Sequence, residues 1–332
     1  MRSKSNATAA GTVTATGLVL GALGVLAFSM SLPATRVAVE RLDPWFVAFG
    51  RAVGAAVLAA VYLRFTRAPR PNRTQWRRLA VVALGVVAGF PLFTSLALRD
   101  ETAAHGAVVV GVLPAMTAVF AVLRAGERPP GTFWLASAGG LLAVLVFLGA
   151  SGTVHGGLSL ADLFLLAAVV LCGLGYAEGG ALARELGGAR TICWALLVAL
   201  PVTVPVTVAA AVAAPPHADG PGWAAFGYLT VVSMFLGFFA WYAGLARGGI
   251  ARVGQIQLVQ PVLTMTWSAL LLSESVTTGA IAAALAVLVF VVLTQRTRAA
   301  GGAPAEVADG GMAGEVVAGG VSATVDARSR AR

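Results

Sequence analysis

The stretches GAVVVGVLPAMTAVFAVLRAGE (Gly106–Glu127) and GIARVGQIQLVQPVLTMTWSALLLSE (Gly249–Glu274) share one plan: small residues at the start, a proline inside, a glutamate at the end. Adding 147 to a position in the first gives its counterpart in the second. Ala104 meets Ala251, Val112 meets Val259, Pro114 meets Pro261, Thr117 meets Thr264 and Glu127 meets Glu274. Past the glutamates the register slips by four, and the run LAVLVF at 142–147 recurs at 285–290. Apolar matches of that kind arise easily in such a composition. The Pro/Thr/Glu register is the stronger sign of an internal repeat.

Both stretches are long and apolar, and so is most of the chain. Hydrophobic residues make up 58% of the 332 and charged residues 11%, where a soluble domain carries roughly 25% charged. A soluble fold could not cover this chain with polar surface, so lipid must be its solvent. A membrane-crossing helix needs about 20 mostly apolar residues, because its backbone groups must be satisfied internally. Ten stretches qualify: 13–35, 44–63, 79–98, 103–123, 132–151, 160–182, 191–213, 222–245, 251–273 and 277–295. Between them lie the expected breakers, among them Asp43-Pro44, Pro69 to Pro71, Pro129-Pro130, Gly187-Gly188 and Pro215-Pro216. The short polar start leads into a first span that flows into others, which reads as a helix and not a cleaved leader. Residues 298–332 are Ala/Gly-rich, without aromatics or periodicity, and read as a disordered cytoplasmic tail.

The net charge of +9 would suggest nucleic acid in a soluble protein. Here the positions explain it, and no nucleic-acid partner is expected. With the N-terminus in the cytoplasm, Arg64, Arg67, Arg70, Arg73, Arg77, Arg78, Arg124, Arg128, Arg184, Arg190, Arg247 and Arg252 all fall on the cytoplasmic side. Arg36, Arg41 and Arg99 fall on the other. Positive residues flanking spans stay inside, so both termini are expected in the cytoplasm with an even helix count. Five helices per half is odd, so the second half, 158–297, must be inverted relative to the first, 13–151. Secondary transporters use that arrangement, with the substrate near mid-membrane at the repeat interface.

These features resemble the EamA-type branch of the drug/metabolite transporter superfamily. In that family each half ends with a proline-containing helix, a glutamate at its end and one more apolar helix. Arg51 looks like the family's basic residue in the second helix, and Trp241-Tyr-Ala-Gly-Leu-Ala246 also looks familial. Arg99-Asp-Glu101 and His105 are more polar than the pattern, and Ser273 stands where a glycine is usual. The resemblance covers about residues 13–297. It implies a ten-helix exporter or importer of metabolites or drugs, without naming the solute.

Several residues could carry chemistry. Glu178 is the one carboxylate well inside an apolar span. Such a group marks an ion or substrate path, and proton coupling would need it, or it snorkels to the cytoplasmic end. Arg51, about two turns inside its span, could hold a substrate carboxylate bidentately or pair with an acid such as Glu40. Gln257, Gln260, Thr264 and Trp267 share one helical face, suited to a solute cavity or to hydrogen bonds between helices. Pro114 and Pro261 are expected hinges, the latter freeing the Gln257 carbonyl. Glu127 and Glu274 are expected to cap the helix that follows each. His105 could titrate near neutrality; His155 and His217 read as solvated. Cys172 and Cys193 lie in apolar runs without metal-ligand spacing. The reading is a plasma-membrane transporter of a small solute, alternating access between its halves, without cofactor or metal. A channel would instead need a ring of filter groups, and a membrane-embedded enzyme a convergent catalytic set that the spans do not show.

Overall fold

A computed structural model of the chain describes residues 2–131 and 159–273, with isolated positions between and beyond, and side chains from residue 15. The spans expected at 132–151 and 277–295, the tail, Glu274 and His155 lie outside the described residues. What is described is all-helical. Seven helices are long and apolar enough to cross a membrane: α1 (Ala15–Val39), α2 (Pro44–Phe65), α3 (Arg73–Asp100), α4 (Ala103–Ala125), α5 (Leu160–Leu186), α6 (Gly188–Ala213) and α7 (Gly220–Gly248). An eighth helical stretch, α8, covers residues 250–272 in three pieces, with a 3-10 segment Gln255–Val259 between Ile250–Gly254 and Gln260–Leu272.

The breakers seen in sequence do their work through side-chain caps. Asp43 accepts from the amides of Trp45 and Phe46, with Pro44 opening α2. Asn72 and Gln75 form a capping box at the start of α3, Ser159 and Asp162 another at α5, and Asp219 accepts from Gly222 at α7. Each satisfies amides that a helix start leaves without partners. Aromatic side chains cluster at both ends: Phe46, Trp223 and Phe226 at one, Trp76 against Trp194 at the other. Tryptophan favours the two membrane interfaces, so these clusters bracket the apolar middle.

Irregular turns recur at positions related by the 147 offset. α3 widens into a π-helical stretch at Ala83–Gly89, and α7 does so at Leu229–Leu236. α4 breaks at Gly111-Val112 just before Pro114, and α8 tightens just before Pro261. Gly126 and Ser273 end α4 and α8 with φ of 66° and 55°, both left-handed. Glycine adopts that conformation freely, whereas a serine is strained there.

Packing repeats as well. α1 lies along α7 as α5 lies along α3, while α2 packs on α6 and α4 on α8. Exchanging α1–α4 for α5–α8 maps this set of pairs onto itself. Backbones approach closely in the α1–α7 pair: a Cβ at Gly17 would lie 2.6 Å from the Gly248 amide nitrogen, and one at Gly244 2.7 Å from that of Gly21. With lipid on the outside, small residues that admit such approach are the main source of helix association. Valine and leucine side chains of α1, α2, α6 and α8, such as Leu23, Val57, Val212 and Leu270, remain exposed on the outer surface.

Candidate functional site: a central cavity and an ionic cluster at the arginine-rich end

A cavity at the middle of the bundle is walled by seven of the eight helices. α1 contributes Phe28, Ser31 and Leu32, α2 Arg51, α3 Val86, Phe90 and Pro91, and α4 Leu113. From the second half come Cys172 and Tyr176 on α5, Ser233, Met234 and Phe238 on α7, and Gln260 on α8. The π-helical stretches of α3 and α7 both reach the wall, and such stretches frequently sit at functional sites. The volume is about 20 Å³, room for about one water molecule. Solute pockets run to roughly 300–1,000 Å³, so this conformation is closed.

Arg51 is 2% exposed, and its Nε has no hydrogen-bond partner. No acidic side chain among the described residues lies within ion-pair range of it. Glu40, the acid that the sequence offered, is taken by Arg36 at 3.0 Å and Arg41 at 3.2 Å. Ser31 and Ser233 share a hydrogen bond of 2.7 Å from opposite halves. The Gln257 amide approaches Gln260 Oε1 at 3.5 Å, and Tyr176 lies beside both Gln257 and Cys172.

The stripe on α8 divides. Gln260 lines the cavity and Gln257 stands behind it, but Thr264 and Trp267 fasten α8 to α1. Thr264 Oγ1 donates to the Ser29 carbonyl at 2.7 Å, and Trp267 Nε1 donates to Ser29 Oγ at 2.9 Å. The reason lies in α1. Pro33 has no N–H to give the carbonyl four residues back, which belongs to Ser29, so α1 breaks at Met30 and an outside donor is needed. The carbonyl expected to be exposed by Pro261 is not open either. Gln260 N–H takes the Gln257 carbonyl through the 3-10 turn.

The second feature is an open groove of about 530 Å³ at the arginine-rich end, lined by Arg78, Arg124, Glu178, Arg184 and Glu185 with three apolar residues. Glu178 is 2% exposed, and each of its oxygens is engaged. Arg78 Nε donates to Oε1, and Arg124 Nε donates to Oε2 at 3.0 Å. Arg78 also reaches Glu185 at 2.6 Å, and Gln75 donates to Glu185 at 2.9 Å. Arg184 pairs with Glu127. Every one of these bonds joins residues 75–127 to residues 178–185. Along α5 the order is Cys172 and Tyr176 in the cavity, then Glu178 and Glu185 in the groove.

Residues 15–149 and again 159–296 match the EamA-like transporter family. The chain belongs to that family. Similar proteins include the Bacillus subtilis (strain 168) protein named "Uncharacterized transporter YdeK", 45% identical over 285 residues, 85% of this chain and 98% of that one. Another, "Uncharacterized transporter" of Archaeoglobus fulgidus, is 27% identical over 77% of this chain and 89% of its own length. A solved crystal structure shares the fold with a TM-score of 0.67 and 17% identity, over 87% of this chain and 99% of its own. This EamA chain is therefore a multi-pass membrane protein of a transporter family, and its solute is a small molecule.

The residues that stood out in the sequence separate between the cavity, the groove and the contacts that join the halves. Arg51 and Gln260, 209 positions apart in sequence, meet at one cavity. Glu178 does not; it lies in the groove, bonded to two of its three arginines. Glu127 caps a helix from the other half. Its oxygens accept from the amides of Ile250 and Ala251, at 2.9 and 2.8 Å, at the start of α8. Gly249 precedes those amides and has no side chain to cap them, so the carboxylate comes from the end of α4. His105 Nε2 meets Asp162 Oδ1 at 2.7 Å, a further bond between halves. His217 is exposed, as expected, and both cysteines are buried and free. Sequence reasoning missed Ser29, Ser31, Tyr176 and Ser233. It used Arg78 and Arg124 only as markers of topology, since nothing in local spacing ties either to Glu178.

Proposed function

We propose that this EamA chain is a secondary active transporter of the plasma membrane, moving a small solute by alternating access between two inverted five-helix halves. The observation that carries this reading is the cavity: walled by both halves, holding an unpaired buried arginine, and too small for a solute as it stands. A solute can enter only if the halves move apart, first on one side and then on the other. The twofold match to the family, the pairing of helices that survives exchange of halves, and the 147 register all support an inverted repeat of ten helices. Arg51, Gln260 and, behind it, Gln257 hold the solute; Thr264 and Trp267 keep α8 attached to α1. The breaks before Pro114 and Pro261 are the hinges. Glu178, with both oxygens engaged by arginines, closes the cytoplasmic gate together with Arg78 and Arg124. That commitment argues against a role as the coupling proton's carrier. Both termini are cytoplasmic, on the distribution of arginines.

The reading is tested by counterflow. Purified protein in liposomes is loaded with a mixture of unlabelled short-chain acids, amino acids and amines, and labelled members are offered outside one at a time. A carrier accumulates the label transiently above equilibrium. Simple equilibration down the gradient would identify a channel, and no flux of any probe would reject transport of these classes. A cysteine at Asn72, in the loop before α3, should resist impermeant thiol reagents applied to intact cells; labelling from outside would reverse the orientation.

A further inference from the structure

We propose that the central cavity selects a small organic monoanion, received by the Arg51 guanidinium, over zwitterions and cations of the same shape. This rests on the transporter reading above and names its substrate class. Arg51 carries a fixed charge, is almost fully buried, and lacks a partner at Nε. A buried cation is stable only when paired, and the protein supplies no pair: among the described residues no aspartate or glutamate lines the cavity. The candidates elsewhere are occupied. Glu40 serves Arg36 and Arg41, and Glu178 serves Arg78 and Arg124 on the groove side.

The missing counter-charge is therefore the solute's own. A carboxylate matches the guanidinium fork with two parallel bonds. Gln260 and the Ser31–Ser233 pair can supply further hydrogen bonds around it, and Phe28 and Phe238 offer apolar faces to the rest of the molecule. An amine would meet a like charge. A zwitterion would satisfy Arg51 but bring an ammonium into a wall with no anion. One negative charge balances the cavity; a second would leave it in excess.

Cys172 lines the same cavity and serves as a reporter. In a Cys193→Ala background, the rate of Cys172 alkylation by N-ethylmaleimide is followed with matched sets of probes at millimolar concentration. The aliphatic set is butyrate, 2-aminobutyrate and butylamine; the aromatic set is 3-phenylpropionate, phenylalanine and phenethylamine. The acid of at least one set should slow alkylation severalfold and more than its zwitterion or amine. Arg51→Gln should abolish that preference while raising or preserving the melting temperature, because it removes an unpaired buried charge. Arg51→Lys should retain a weaker preference. Equal or better protection by the zwitterion or amine overturns the proposal, as does protection by no acid, or a preference that survives Arg51→Gln. If Arg51→Gln fails to fold, the wild-type ranking within each set still decides. Counterflow separates the two levels: an amine or zwitterion that is carried while no acid is carried sinks the substrate class and leaves the transporter standing.

Discussion

Glu178→Gln replaces a buried carboxylate by an amide of the same shape and so removes charge alone. Breaking a fully buried ion pair costs roughly 3–5 kcal/mol. That figure must be discounted here, because the side chains of Arg78 and Arg124 are 23% and 46% exposed and both can turn to water. Arg78 also keeps Glu185. A loss of about 2 kcal/mol is a reasonable balance between buried and surface limits. If the bonds exist only while the groove end is closed, the whole loss appears as a shift toward the open conformation, about thirtyfold in the equilibrium. Cys172 reports the shift, since it is 1% exposed in the closed cavity. In the Cys193→Ala background its alkylation should accelerate by up to that factor when reagent reaches the arginine-rich end. Arg124→Ala should give a smaller acceleration, since Arg78 still holds Glu178. A fall in melting temperature with unchanged alkylation would refute the gate and leave the cluster as an attachment between halves.

Further outcomes follow from the same geometry. Gln260→Ala should weaken apparent solute affinity about tenfold, the value of one lost hydrogen bond of about 1.4 kcal/mol, with the melting temperature unchanged. Thr264→Val should do the reverse, lowering thermal stability by about 1–2 kcal/mol because the Ser29 carbonyl loses its donor, while counterflow affinity stays put. Gly244→Leu should prevent a monodisperse fold in detergent, because even a Cβ there would lie 2.7 Å from the Gly21 backbone nitrogen. Ser273→Gly should raise stability by about 1 kcal/mol, since the residue is held at a φ of 55°; thermal unfolding in detergent reads it, and no gain would mean that local contacts offset the strain.

The membrane class and the positions of the spans were legible because they depend on short-range properties: apolar length, breakers and charge flanks. The eight stretches expected among the described residues are all helical, with ends moved by a few residues where caps such as Asn72 and Asp219 start the helix earlier. Arg51 and Gln260 stood out because polar groups in apolar spans are costly anywhere. Their partners were not legible. Glu178 meets Arg78 and Arg124 only because α3, α4 and α5 converge at one end, and no spacing along the chain encodes that. The α8 stripe stayed open between cavity and interhelical bonds because helical periodicity tells which residues share a face, not how far that face runs along a neighbour. Ser29 was the missing term: Pro33 leaves its carbonyl open, a deficit written in the sequence of α1 and made good by Thr264 of α8. Glu127 behaves in the same way, since capping was foreseeable from its position and the helix capped was not.

That last bond has a consequence for how the chain can be divided. The amides that open α8 belong to the second half, while the carboxylate that satisfies them belongs to the first. A gene fragment encoding residues 159–332 would therefore make a half whose α8 begins, at its arginine-flanked end, with two donors, Ile250 and Ala251, that have lost their carboxylate. Supplying residues 1–158 as a separate polypeptide returns Glu127 without any peptide link between the pieces. The two fragments are expected to be degraded when made singly and to recover each other when made together, so each half acts as the other's folding partner in trans.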